Sequence, residues 1–266
     1  MKRISSRHHE LVAECRALAD GRSSDLMLLD GVHLLADALA ARIALRHVIA
    51  AADAFDRSDV QRAIRAVAEQ GIEVVAASRS VMAAVSPLRS PSDIVAIAER
   101  PASDVRLQFA SSSPLLVVIA DVQDPGNVGA AVRVAEAGGA DGVVVAGRSA
   151  DPFGWKALRG SMGSALRLPM IVRKETPAAI DEVRRLGCRI VATLPRGGRP
   201  AQLVDLRSAV ALIVGGEGAG LPPEVIDRAD DTITIPMKPP VESLNMAVAT
   251  ALLVYEARRQ RDVLVP

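Results

Sequence analysis

Leu115-Leu116-Val117-Val118-Ile119-Ala120 is a run of six apolar residues without one polar interruption. A strand with one wet face alternates apolar and polar residues. A strand with no alternation is covered on both faces, as in a parallel sheet flanked by helices. The pattern downstream agrees. A turn and a helix over 128–137 follow the run, then a strand over 142–146, and later strands over 189–193, 210–214 and 232–235. Helical periodicity fills the gaps near 178–186 and 223–229, and the chain closes on a long helix over 243–261. Strands alternating with helices predict an α/β fold built on a parallel sheet. No internal repeat is visible.

The first hundred residues show the same alternation on a smaller scale. Leu11, Val12, Cys15, Leu18 and Ala19 form a stripe at helical spacing within 5–20. Short strands are predicted over 26–29, 45–50, 72–76 and 94–97, with helices over 31–41, 58–70 and 78–85; Ser58 reads as the cap of the second of these. Between 99 and 114 the chain gathers Pro101, Ser103, Ser111-Ser112-Ser113 and Pro114, a turn-rich stretch between two periodic regions. The expected division is a small α/β domain over 1–100, a linker over 101–113 and a larger α/β domain over 114–266.

Composition removes several function classes. A chain of 266 residues buries roughly three quarters of its unfolded surface and needs no metal or disulfide staple. With 50% hydrophobic and 24% charged residues, disorder, collagen and coiled coil are excluded. Cys15 and Cys188 stand far apart with no CxxC or histidine-rich neighbour, and read as reduced thiols of a cytoplasmic protein. Residues 1–10 are basic but lack the apolar core of a signal peptide. No stretch approaches the ~20 apolar residues that span a bilayer, so no membrane partner is expected. Lysine plus arginine number 32 against 31 acidic residues, so the global field attracts no nucleic acid and any RNA contact rests on local arginines. Of the 32, 28 are arginine, the residue suited to bidentate phosphate contacts. Five aromatic residues in all exclude a module that stacks bases on rows of rings.

Three clusters follow strand ends. The first, 121–133, reads DVQDPGNVGAAVR: Pro125 and Gly126 make a turn, Asn127 can cap the helix, and Arg133 projects two turns in. A strand, turn and cap account for everything except Arg133 and the second glycine. The second, 213–222, reads IVGGEGAGLP, and four glycines after an apolar strand suggest backbone close to a ligand. The spacing is not GxGxxG, and Pro222-Pro223 interrupts where a phosphate-binding helix would open. Glu217 would also repel a pyrophosphate, so a dinucleotide-dependent oxidoreductase is disfavoured. The third is Ile233-Thr234-Ile235-Pro236-Met237, then Glu242-Ser243-Leu244-Asn245-Met246. Ser243 can cap the last helix, which leaves Asn245 in its first turn, a poor choice on propensity alone.

In this order, each at a strand end, the clusters resemble the SpoU (TrmH-like) branch of the SPOUT RNA methyltransferases. The resemblance spans roughly 114–260 and rests on DPGNVGAAVR, GGEGAGLP, and IPM followed by SLNMAVA. The first hundred residues resemble the small substrate-binding domain of many ribosomal RNA members. There Met27-Leu28-Leu29-Asp30-Gly31 stands for an aromatic-leucine-glutamate-glycine sequence, Ser86-Pro87 and Ile94-Val95-Ala96 match the end, and Ser92-Asp93 replaces a commoner Gln-Gly.

The resemblance implies a C-terminal trefoil knot, against the usual rule that chains do not thread loops, and S-adenosylmethionine as cofactor. By motif position Gly215, Gly216, Ile235, Met237, Leu244 and Asn245 would contact it, with Thr193 and Leu194 nearby; that pair reads equally as an ordinary strand end. Arg133 would be the catalytic arginine, with Asn127, Glu217, Ser243 and Asn245 positioning ribose, arginine and cofactor. An arginine stays protonated, so Arg133 is expected to grip the target phosphate and make it, or a bound water, the proton acceptor. Arg62 and Arg65 on one helix, and Arg148, Arg159 and Arg167 around the catalytic loops, are candidate RNA contacts. No metal is required, because the donor is already activated. The four histidines, His8, His9, His33 and His47, lie outside the motifs and read as surface or packing residues. A homodimer is implied, with the last helix at or near the interface; Met246, Val248, Leu252, Leu253 and Val254 fit a buried helix. The expected activity is 2′-O-ribose methylation of large-subunit ribosomal RNA. Transfer RNA methylation and a non-catalytic RNA-binding or assembly role are the alternatives.

Overall fold

The computed structural model describes residues 2–23, 25–101, 111–216 and 220–262. The chain forms two compact units: Met1–Ala102 with Phe153–Arg167, and Ser103–Pro152 with Leu168–Pro266.

The first unit opens with β1 (Arg3–Ile4), α1 (Glu10–Ala19), β2 (Leu26–Asp30), α2 (Val32–Ala40) and β3 (Leu45–Ala51). It continues with α3 (Ser58–Glu69), β4 (Val74–Ala77), α4 (Arg79–Val85) and β5 (Ile94–Glu99). Its sheet is mixed, in the order β1-β4-β3-β5-β2: β1, β4 and β3 run parallel, and β5 runs antiparallel to both neighbours. Caps start the helices. His9 Nδ1 accepts the Leu11 N–H at 3.2 Å to begin α1, and Ser78 Oγ accepts the Val81 N–H at 3.4 Å to begin α4. Ser58, expected to cap α3, lies inside its first turn, and Arg57 occupies the cap position. Val60, Ala63 and Val67 of α3 face inward, while Arg62 and Arg65 remain exposed. Val12, Cys15, Ile49, Met82 and Ile97 meet in the core. Each such side chain contributes about 1.5–3 kcal/mol on burial.

The second unit begins with β6 (Leu115–Ala120), α5 (Pro125–Ala137) and β7 (Gly142–Ala146). The chain then supplies α6 (Trp155–Ser161) and α7 (Ser164–Arg167) to the first unit, where α6 packs on β2 and α7 on α2. The second unit resumes with β8 (Met170–Arg173), α8 (Thr176–Arg185), β9 (Arg189–Thr193), β10 (Arg199–Pro200) and β11 (Val210–Gly215). It closes with α9 (Pro223–Ile226), β12 (Asp231–Thr234) and α10 (Met246–Asp262). The packing therefore departs from a single cut over 101–113. Ala157, Leu158 and Ala165 bury an apolar face, a long-range preference that local periodicity does not carry.

All seven strands of the second sheet run parallel, in the order β10-β12-β9-β11-β6-β7-β8. β6 lies between β11 and β7, and each of its six residues is 1% exposed or less. Chain order reverses at this point, β7 and β8 extending one way and the later strands the other. In open parallel sheets the crevice at the carboxyl ends of the strands beside such a reversal is where ligands bind. α10 packs against α5.

Candidate active site

The carboxyl ends of β9, β11 and β12 and the entry to α10 enclose a cavity of about 430 Å³. The end of β9 supplies Thr193 and Leu194, β11 supplies Gly215 and Gly216, and the chain after β12 supplies Ile235 and Met237. Leu244 and Asn245 line it from the turn into α10, and Ser243 joins them. All the residues expected to touch a cofactor thus share one cavity. Its surface is largely aliphatic side chain and backbone, with few charged groups to hold water.

The loops are tied to each other by backbone and short side chains. Thr234, which the motifs did not single out, donates through Oγ1 to the Leu194 carbonyl at 3.0 Å and accepts the Gly198 N–H at 2.9 Å. The Leu194 N–H donates to the Ile233 carbonyl at 2.8 Å. Gly215 and Gly216, which line the cavity, also lie close to the protein's own backbone. A Cβ on Gly216 would lie 2.6 Å from the Asp121 carbonyl oxygen, and one on Gly215 would lie 2.8 Å from the Gly220 carbonyl carbon. Close approach is to the protein's own backbone, so any side chain here would push apart the loops that form the cavity. Asp121 itself has φ +57°; its Oδ1 accepts the Arg148 N–H at 2.9 Å, and its Oδ2 accepts from Thr176 Oγ1 at 3.4 Å.

Two caps differ from expectation. Asp124, not Asn127, caps α5, its Oδ1 accepting the Asn127 N–H at 2.8 Å with Pro125 following in the first turn. Asn245, not Ser243, caps α10, its Oδ1 accepting the N–H groups of Ala247 at 3.0 Å and Val248 at 3.3 Å. The asparagine that looked costly inside a helix therefore sits where asparagine is favoured. With its own helix capped by Asp124, the Asn127 side chain is released to accept from Asn245 Nδ2 at 3.0 Å. One amide pair joins the first motif to the third at the cavity wall.

Arg133 does not line the cavity. It lies six residues beyond Asn127 on α5, about 9 Å along the axis at 1.5 Å per residue. Its side chain is exposed and makes no hydrogen bond or ion pair with any described residue. Glu217 lies outside the described residues. Arg148 follows β7 with its side chain 84% exposed, 3.7 Å from Asp121. Arg159 and Arg167 belong to the first unit, where Arg167 pairs with Asp37 at 2.8 Å. His8, His33 and His47 are exposed and His9 is the α1 cap. Val248 and Leu252, expected to be buried, are each 48% exposed, and Tyr255 is 49% exposed on the same face of α10. Met246, Leu253 and Val254 are buried. Burial pushes the Cys15 thiol up to about 12 and the Cys188 thiol up to about 11, so neither is a nucleophile. Among the described residues no group of three metal-ligating side chains occurs, and no helix is long and apolar enough to cross a membrane.

Comparison with known proteins agrees with this architecture. The SpoU rRNA Methylase family matches residues 114–255, and the MRM3-like substrate binding domain matches residues 20–96. The 23S rRNA (guanosine(2553)-2′-O)-methyltransferase RlmP of Bacillus subtilis is 32% identical over 97% of this chain and 100% of its own length. Among solved structures, an AdoMet-bound rRNA methyltransferase from Sinorhizobium meliloti superposes with a TM-score of 0.85 at 28% identity, covering 100% of this chain and 99% of that one. The SpoU methyltransferase AviRb from Streptomyces viridochromogenes, in complex with AdoMet, gives a TM-score of 0.84 at 28% identity, covering 96% and 100%. The chain belongs to the SpoU rRNA methylase family.

Proposed function

We propose that the protein transfers a methyl group from S-adenosylmethionine to a ribose 2′-hydroxyl of large-subunit ribosomal RNA. The observation that carries this reading is the single cavity shared by Thr193, Gly215, Ile235 and Leu244, three strand ends and a helix entry that local sequence leaves unconnected. Its walls suit such a cofactor. Leu194, Ile235, Met237 and Leu244 offer an aliphatic slot for a purine and a methionine chain, and the backbone at Gly215 and Gly216 offers polar groups without side chains. When bound, S-adenosylmethionine supplies a methyl carbon already activated by its sulfonium, so the chain must provide alignment and a route for one proton.

Alignment is worth about 7–11 kcal/mol of barrier when reacting groups are held in a near-attack geometry. The Asn127–Asn245 pair fixes α5 against the cavity wall and so fixes the helix that carries Arg133. Arg133, exposed and unpaired among the described residues, is free to grip the phosphate beside the target ribose. A phosphate oxygen held there takes the 2′-hydroxyl proton. Thr193, Gly216 and Ser243 complete the cofactor wall, and Glu217 belongs to the same motif. Arg62, Arg65, Arg148, Arg159 and Arg167 are assigned to the RNA, Arg167 doing so from its pair with Asp37.

Ribosomal RNA is favoured over transfer RNA because the similarity to RlmP runs through both units, the substrate-binding match at 20–96 included. We read the second unit as a trefoil-knotted α/β fold of the SPOUT kind, supported by its parallel sheet and family membership. The working form we assign is a homodimer. Val248, Leu252 and Tyr255 make an apolar stripe at four- and three-residue spacing on α10, whose opposite face, through Met246 and Leu253, lines the cavity. A second copy laying the same stripe across it would form an isologous contact beside the site. Free, buried Cys15 and Cys188 and a ribosomal substrate support a cytoplasmic setting.

The test is transfer of labelled methyl to total RNA, followed by alkaline hydrolysis. Label in 23S rRNA at an alkali-resistant linkage is expected, because a 2′-O-methyl group blocks cleavage. Label released as ordinary mononucleotides would refute ribose methylation, and label confined to transfer RNA would refute the ribosomal assignment.

A further inference from the structure

The first unit contains a second cavity, of about 460 Å³, and every residue lining it belongs to that unit. Three stretches noted in the sequence converge on it. Asp30 and Gly31 come from the end of β2, Ser92 and Asp93 from the approach to β5, and Ser86 joins them from the end of α4. Ser86 Oγ donates to Asp30 Oδ2 at 2.8 Å and accepts the Ser92 N–H at 3.3 Å.

The charges in the wall are paired with two exceptions. Asp59 and Asp93 are ion-paired with Arg57, Asp93 also with Arg79, and Asp37 with Arg167. Asp30 is the lining carboxylate without an arginine among the described residues, and its Oδ1 is buried with no hydrogen-bond partner. Arg159 is the lining arginine without a carboxylate, and it is exposed. An orphaned acceptor in a cavity wall calls for a donor from whatever enters, and an unpaired guanidinium calls for an anion.

His33 and Ser90 are the other polar residues of the lining, and the rest is apolar. Met162 holds a left-handed backbone, φ +49°, with 53% of its surface exposed, and lies with Leu88 and Pro91 around the cavity. A bulky residue kept in that conformation is costly, and such strain gathers at functional positions. A ligand with N–H donors at one end, a flat apolar body and an anion at the other satisfies all three features.

We propose that this cavity receives one unstacked nucleotide of the RNA substrate, its base carrying an amino group toward Asp30 and its phosphate held by Arg159. The proposal rests on the RNA reading above and adds to it a base-reading pocket in the substrate-binding unit. Carboxylates accept from base amino groups, and unstacked bases are read on such edges.

The test uses the whole chain labelled with ¹³C at its methionine methyls and titrated with GMP, CMP, AMP and UMP. The Met162 resonance is expected to shift saturably with at least one amino-bearing nucleotide, and UMP to bind at least about threefold more weakly. Met246, in the wall of the other cavity, should not move with CMP, which brings no purine to that slot. Arg159→Ala and Asp30→Asn should each weaken the nucleotide by about fivefold or more. Arg159 is exposed, so its variant keeps the fold and decides the matter if Asp30→Asn does not. No saturable Met162 shift with any of the four nucleotides, or an unchanged affinity in Arg159→Ala, overturns the proposal. Nucleotide binding without methyl transfer to RNA would sink the catalytic reading and leave the pocket standing. Methyl transfer without nucleotide binding would do the reverse.

Discussion

The two cavities have nearly the same volume, about 430 and 460 Å³, and opposite walls. One is lined by glycine backbone and aliphatic side chains at the ends of parallel strands. The other is lined by carboxylates and guanidiniums around a helix start in a unit with a mixed sheet. Parallel strands bring consecutive loops to one end, so a ligand there meets main chain from several loops and few side-chain charges. In the mixed sheet, β5 runs antiparallel to both β2 and β3, and the wall is built from side chains at a β2–α2 junction and the loop before β5. Volume alone would not separate a cofactor slot from a base pocket. Wall chemistry does.

That contrast can be broken by substitution. The largest effect is expected for Arg133→Ala, which should lower turnover at least about 10²–10³-fold, the cost of losing one donor that acts on transition-state charge. Its affinity for S-adenosylmethionine, measured by calorimetry, should stay close to wild type, because Arg133 lies outside the cavity wall. Lost cofactor binding with residual turnover would reverse the assignment. Next is Leu252→Asp. A carboxylate in the exposed α10 stripe should convert a dimer to a folded monomer in sedimentation, with most activity lost; an unchanged mass would remove the stripe from the interface.

Smaller effects sharpen the picture. Asn245→Ala removes the α10 cap and the tie to Asn127, so thermal unfolding should show a loss of about 1 kcal/mol, accompanied by weaker cofactor binding. The smallest concerns the thiols. Both are held neutral by burial, Cys15 up to about 12 and Cys188 up to about 11, against an ordinary value near 9. The unfolded chain loses these protons first, so stability is fully present below pH 9 and declines as pH rises toward 11–12. Alkylation at pH 8 should accordingly proceed only on unfolding; rapid labelling of the native protein would contradict the burial.

Much of this was legible in the chain, for a physical reason. Apolar runs such as 115–120 mark strands because a doubly covered strand has no polar face to display, and the second and third motifs, each after a strand end, supply much of the cavity lining, whereas the first supplies none of it. Local patterns did not carry the partner of a group. Asn127 and Asn245 both looked like caps or misplaced helix residues, and only their approach to 3.0 Å shows that Asp124 frees one to meet the other. Gly215 and Gly216 pointed to close approach without saying to what. The helix Trp155–Ser161 carries its apolar face to a unit a hundred residues upstream, and a short edge strand such as Arg3–Ile4 has too few residues to show a period. Thr234 stood inside a motif but owed its role to hydrogen bonds across forty residues.

The most direct measurement is the dissociation constant of S-adenosylmethionine for three whole proteins: wild type, Leu244→Trp and Arg159→Ala. Leu244→Trp fills the backbone-lined cavity and should weaken binding by about tenfold or more, roughly 1.4 kcal/mol, while Arg159→Ala, in the charged cavity, should leave it unchanged. Binding that survives Leu244→Trp, or falls with Arg159→Ala, would put the cofactor elsewhere and contradict the account.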